Sequence, residues 1–273
     1  MKLFIPENIR DFMRLFDKLT NSGCCYYRGQ ANATWSIKSG LARNKNIPTN
    51  VETICKIENR LNESFFNCVN NDRLKDIIPV LNEGYHNSWQ YLMASQHYGL
   101  PTRLLDFSND KYIALEFAVA DLGQLDKDGA FFIYKDVDSI QRCSNDELFF
   151  NPFNNACADF FMQVPSYGTA CDNQLKYQER RKLIQSSKFL YRETYKIHQC
   201  LALDDTHTYK LIKIQISKNL KRSIVDYIVE KKKIKFDLYF GKNEIDYRCA
   251  VLKSYFMELE EKKVDTFLDN VGY

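Results

Sequence analysis

The sequence lacks the marks of several large classes of protein. No apolar run approaches the ~20 residues of a membrane span, so no membrane partner is expected. There is no internal repeat and no low-complexity segment. Charge is nearly balanced, with 38 Lys and Arg against 35 Asp and Glu. A net +3 is too small to argue for nucleic acid or a membrane surface. There is no G-x-S-x-G elbow, no phosphate-binding P-loop, no G-x-G-x-x-G and no H-E-x-x-H. Nine cysteines are an odd number at irregular spacings. Cys24 and Cys25 are adjacent instead of forming CxxC, and no other pair has zinc-ligand spacing, so no metal is expected. The opening MKLFIPENIRDFMRLF carries charges at Glu7, Arg10, Asp11 and Arg14 where a signal peptide needs an apolar core. With the unpatterned cysteines, this leads to the expectation of a reducing, cytoplasmic setting.

What is present suits a globular chain. Hydrophobic residues make up 45% and charged residues 27%, and 19 Phe with 17 Tyr supply ample core. The absence of a linker favours one domain over the 273 residues. Periodicity predicts a helix from about Pro6 to Leu19 with Ile9, Phe12, Met13 and Phe16 on one face. CCYYRGQ, 24–30, reads as a strand meeting a glycine turn. A helix burying Ile54, Ile57, Leu61 and Phe65 begins at the capping box Thr49–Glu52. Another starts near Asn87 and ends where Gly99 fits a left-handed cap and Pro101 forbids continuation. RLLDFS is extended, Ser108 is placed to cap the following helix, and that helix stops at Gly123. GAFFIYK, 129–135, is apolar on both faces, as in a central strand. Residues 136–172 look irregular, YQERRKLIQSS helical, and YKLIKIQI, 209–216, alternates as a strand. A helix capped by Ser217 follows, then shorter helices and connections. The class is α+β, with central mixed or antiparallel sheets flanked by helices.

Two stretches concentrate polar chemistry. In YYRGQ, an Arg beside Gly is a natural anion site, because a guanidinium grips phosphate in a fork and Gly lets a ligand approach the backbone. From spacing alone, a structural Arg paired with a carboxylate is the more common outcome of such a pattern. QHYGLPTRLLDFS, 96–108, sets Gln96, His97, Tyr98, Arg103, Asp106 and Ser108 among packed leucines. His97 in the last helical turn suits the helix dipole. Arg103 and Asp106 can brace the strand as an internal ion pair or contact a ligand, since buried charges need partners. The basic segments between 221 and 235 read as a solvated helix face or as a footprint for nucleic acid.

YRGQ at 27–30, Trp35 with Leu41 and Arg43, and QHYGLPTRLLDFSNDKYIALEFAVAD at 96–121 together resemble the FRG domain family. RRKLIQSSKF, 180–189, is similar to that family's later Arg-Ile-x-x-Gln-x-Gly-x-Phe block, with Gln185 on the family position. Tyr27 stands for the naming Phe, Phe107-Ser108 for the usual Trp-Thr, and Ser187 for a Gly. The resemblance covers residues 20–200, which divides the chain into an FRG-like core over 1–200 and, over 201–273, a strand and helices completing the same domain. Tyr27-Arg28-Gly29, then Asp106-Phe107-Ser108 leading into Ala114-Leu115-Glu116-Phe117-Ala118, also resembles ADP-ribosyltransferases of the Arg-Ser-Glu type.

That second resemblance implies an ADP-ribosyltransferase-like fold that binds NAD. Cleaving the nicotinamide bond passes through an oxocarbenium-like ribose, which a site must hold and stabilise. Arg28, Gly29, Gln30, Tyr98, Arg103 and Asp106 are then the candidates for holding NAD, and Arg28, His97, Ser108 and Gln185 for the chemistry. The acceptor would be a protein or a nucleic acid, in a microbial toxin or antiviral defence effector. The family's glutamate is missing from its place: Glu179 reads as helical, Gln185 is no carboxylate, and Glu193 and Glu244 remain candidates. A catalytically inactive module binding a nucleotide or partner, and an effector docking on nucleic acid through the basic 221–235 helix, are the alternatives.

Overall fold

A computed structural model describes residues 1–21, 25–44, 47–70, 92–93, 95–96, 99–135, 142–143, 159–163, 187–192, 196–204 and 207–230. Its frame is an eight-stranded sheet. The strands are β1 (Lys2–Phe4), β2 (Cys25–Gln30), β3 (Leu104–Ser108), β4 (Gly129–Lys135), β5 (Arg142–Cys143), β6 (Phe160–Gln163), β7 (Ser187–Tyr191) and β8 (Leu211–Ile216). They lie in the order β1-β8-β4-β2-β3-β7-β6-β5. The sheet is mixed: β1 runs parallel to β8 and β5 to β6, while the other neighbours are antiparallel. Four helices accompany it among the described residues: α1 (Ile9–Thr20), α2 (Val51–Asn70), α3 (Lys111–Val119) and α4 (Lys218–Glu230). This is the α+β class expected from the sequence.

The central strands are apolar on both faces because both faces are covered. Along β4, Phe131 and Ile133 pack with Phe12 and Phe16 of α1, Ala114 and Ala118 of α3, and Ile224 and Ile228 of α4. Phe132 and Tyr134 point the other way, into a cluster with Tyr26, Phe107, Phe161 and Phe189. A smaller cluster joins Ile54, Ile57 and Leu61 of α2 to Leu41, Ile47 and Ile197.

Local signals differ from the expectations in instructive ways. The first helix is capped by Asn8, whose side chain accepts from Asp11 N–H at 2.9 Å. The second is capped by Asn50, one residue after the expected Thr49. Ser108 is not the cap of α3. Asp110 holds that place, accepting from Tyr112 and Ile113 N–H, while the Ser108 hydroxyl accepts from Asp110 N–H at 2.9 Å. The carboxylate reaches the first-turn amides from one residue before the helix. Helix α3 ends at Val119, before a short 3-10 turn over Leu122–Gln124. Phe160–Gln163 is a strand inside the stretch expected to be irregular, because β7 offers a partner that no local pattern announces. Gly99 has φ 86°, as expected of its left-handed cap. Strand β8 sits between β1 and β4, so residues beyond 200 complete the sheet that β2 begins. The proposed helix at 177–187 and the last forty residues lie outside the described residues, except that Ser187 opens β7.

Candidate functional site

Strand β2 carries Tyr26, Arg28 and Gln30 to one side and Tyr27 and Gly29 to the other. Gly29 is where α3 crosses β2. A Cβ there would stand 1.8 Å from the Ala114 carbonyl oxygen and 2.7 Å from Ala118 N. Gly129 makes the same room on β4, with the Ala118 oxygen 2.3 Å from a Cβ position. The glycine after Arg28 therefore admits a helix, which the expectation of ligand approach did not foresee. The small residues of ALEFA are the matching surface. Tyr27 pairs with Ser108 in register, setting β2 beside β3.

Arg28 faces a cavity of about 1100 Å³ lined also by Gly29, Gln30, Trp35, Lys38, Arg43, Phe117, Asp121 and His198. Its side chain is 10% exposed. One guanidinium nitrogen donates to the Asp106 carbonyl at 2.5 Å, and the Asp106 carboxylate stands off at 4.0 Å. Nε has no partner. Burial lowers the pKa of Arg28 to about 10, with Asp106 opposing the fall and Arg43 adding to it. Two cations thus face one cavity, an arrangement that an anion would relieve. Among the described residues the Arg43 side chain bonds only the Lys38 carbonyl, at 3.2 Å, and neither Arg43 nor Lys38 has an ion pair. Trp35 and Phe117 are 46% and 37% exposed, leaving flat apolar surface at the site.

The loop after β2 is held in place by lysines. Lys221 of α4 is buried and donates to the Ala31 and Gln124 carbonyls, each at 2.7 Å. Lys213 of β8 donates to the Ala33 carbonyl at 2.8 Å. Burial lowers the pKa of both. Lys221 was read only as part of a basic helix face and Lys213 not at all, because their acceptors are main-chain atoms 97 to 190 residues away. His198 was missed too. It reaches the cavity wall from a loop far along the chain, its Nε2 3.0 Å from the Pro48 carbonyl.

The QHYGLPTRLLDFS block does a different job from the one expected. None of its described residues lines the cavity. Asp106 receives Gln96 Nε2 at 2.8 Å, and the Thr102 hydroxyl donates to Gln96 at 2.5 Å. That chain fixes β3 behind Arg28. Arg103 is wholly buried and its partner is Glu58 of α2, not Asp106. Glu58 takes Arg103 main-chain N–H at 3.0 Å and Nε–H at 2.6 Å, with a further short bond to Nη2. Tyr191 OH accepts from Nη1 at 2.8 Å, and its ring lies against the guanidinium. Each guanidinium nitrogen has a partner, so Arg103 reads as part of the fold. Ser108 is buried in β3, away from the cavity lining. His97, Tyr98, Gln185, Glu179, Glu193 and Glu244 lie outside the described residues.

A third arginine, Arg192, sits with Asp159 and Asp204, the latter at 3.0 Å. His207 Nε2 is 2.7 Å from Asp159, and Tyr134 OH 2.7 Å from His207 Nδ1. Asp159, Asp204 and His207 have metal-ligand proximity. The guanidinium already occupies both carboxylates, so the group reads as a buried charge network. Of the basic run at 221–235, Lys221 is buried and Arg222 pairs with Asp226 at 3.1 Å. The rest from 231 lies outside the described residues. Among the described residues no helix is long and apolar enough to cross a membrane.

Residues 24–127 match the FRG domain family. The chain carries an FRG domain. No curated protein and no solved structure matches. The FRG segment contributes β2, the loop bearing Trp35 and Arg43, α2, β3 and α3, and with them most of the cavity wall. His198 comes from beyond it.

Proposed function

We propose that the FRG domain binds a dinucleotide of the NAD type in the Arg28 cavity and belongs to the ADP-ribosyltransferase-like class of proteins. The observation that carries this is Arg28 itself, a guanidinium whose side chain is 10% exposed and whose Nε is unpartnered, beside a second cation, Arg43, that has no ion pair among the described residues. Cations, flat aromatic surface and a volume at the upper end of ordinary ligand cavities suit a ligand that is anionic, flat-ringed and large. Transfer would need nucleophilic attack at the ribose carbon as nicotinamide leaves, with negative charge or a hydrogen bond placed close by. Asp121 is the one carboxylate among the described lining residues, and its side chain accepts from Gly123 N–H at 2.9 Å. That observation favours a second reading, in which the same cavity binds the nucleotide without turning it over. An acceptor, protein or nucleic acid, and a role as toxin or defence effector belong to the first reading alone.

Nicotinamide release and NAD-dependent thermal stabilisation, measured on the same preparation, separate the two. Arg43→Glu is the control, since this exposed side chain can be reversed without disturbing the core. Release and stabilisation both lost in Arg43→Glu support transfer. Stabilisation without release supports the silent module. With neither in the parent protein, NAD is not the ligand.

A further inference from the structure

Three buried side-chain polar atoms among the described residues lack a hydrogen-bond partner: Arg28 Nε, Gln30 Oε1 and Asn62 Oδ1. Folded proteins pair nearly all such atoms, so each unpaired one asks for a reason. Two of the three belong to Arg28 and Gln30, alternate residues of β2 that leave the same face of the strand and both contribute to the lining of one cavity. Gln30 is 4% exposed, which leaves bulk water little access to it.

The two atoms are of opposite kind. Arg28 Nε–H can only donate, and Gln30 Oε1 can only accept. A phosphate or carboxylate brings acceptors alone, and set against Arg28 it would turn an oxygen toward Gln30 Oε1. A hydroxyl accepts through its lone pairs and donates its proton, so neighbouring hydroxyls answer both atoms at once. The charges left for an anion lie elsewhere in the lining, at the exposed Arg43 and at Lys38. We infer that the cavity seats a ribose-type sugar with its hydroxyls on Arg28 Nε and Gln30 Oε1 and its phosphate toward Arg43 and Lys38. This rests on the nucleotide reading above and adds to it an orientation and a residue, Gln30, that selects ribose over deoxyribose.

Calorimetric titration with ribose 5-phosphate, 2-deoxyribose 5-phosphate, inorganic pyrophosphate and NAD tests it. The intact chain and Gln30→Met are compared, Met being of similar length without the oxygen. The expected result is a preference of about ten-fold for ribose 5-phosphate over its deoxy analogue, the loss of one hydrogen bond. Gln30→Met should erase that preference and leave pyrophosphate affinity unchanged. The first comparison alters only the ligand, so it does not depend on a variant folding. Equal affinity for both sugars, or a preference that survives in Gln30→Met, overturns the inference. If NAD fails to bind while the sugar preference holds, the nucleotide reading falls and the sugar subsite stands. If NAD binds the intact chain and Gln30→Met alike, the reverse is true. Failure of every probe overturns both.

Discussion

Arg28 and Arg103 lie on or beside adjacent strands, the first with a side chain 10% exposed and the second wholly buried, yet their surroundings are opposite. Around Arg103, Glu58 offers both carboxylate oxygens, Tyr191 its hydroxyl and ring, and Cys55 its sulfur at 3.9 Å. Burial works against the charge, but Glu58 and its neighbours more than offset it and hold the guanidinium above its ordinary pKa. Around Arg28, a carbonyl and a distant carboxylate are all that the described residues provide, and burial prevails. A buried charge with all its partners braces a fold, and one short of partners is available to a ligand. Position in a motif did not separate the two arginines. Partner completeness does.

Removing the partner of the sealed arginine should have the largest effect. Glu58→Ala leaves Arg103 charged and bare in the core, and a loss of about 3–5 kcal/mol in urea denaturation is expected. Unchanged stability would show that Arg103 is not sealed as described. Gly29→Ala comes next. The new methyl meets main chain of α3, not a yielding side chain, so a cost of about 1–3 kcal/mol is expected from the melting midpoint. Lys221→Met strips a donor from two carbonyls and should cost about 1–3 kcal/mol, with weakened ligand binding as the Ala31 loop loosens. Arg28→Met sharpens the comparison most. It removes a charge the fold does not need, so stability should stay within about 1 kcal/mol of the parent while NAD binding disappears. The smallest effect belongs to the exposed pair Arg222–Asp226, where a double-mutant cycle should return about 0.3–0.5 kcal/mol, falling with salt.

Elements whose signals are local were legible in the sequence. GAFFIYK was legible as a strand because Phe131, Phe132, Ile133 and Tyr134 are four bulky β-forming residues in a row, and Gly99 announced a left-handed cap before Pro101. The FRG block was legible as a family string, but its role was not. Arg103 finds Glu58 across 45 residues, and nothing in RLLDFS states that distance. Of the residues named for a ligand, Arg28, Gly29 and Gln30 line the cavity. Gly29's packing role was not read, since it depends on α3 crossing at that point. Arg43 was visible only as part of the family pattern, while His198, Lys213 and Lys221 join the site through tertiary contacts alone. Short strands such as β6 exist because a neighbour pairs with them, which local alternation cannot reveal.

The proposed division of labour gives Arg28 to a ligand and Arg103 to the fold. Calorimetric titration of NAD into the parent protein and into Arg28→Met, with urea denaturation of both, addresses it most directly. The account expects saturable binding by the parent, none by the variant, and equal stability of the two. An Arg28→Met variant that binds NAD as the parent does, or that unfolds as Glu58→Ala should, would contradict it.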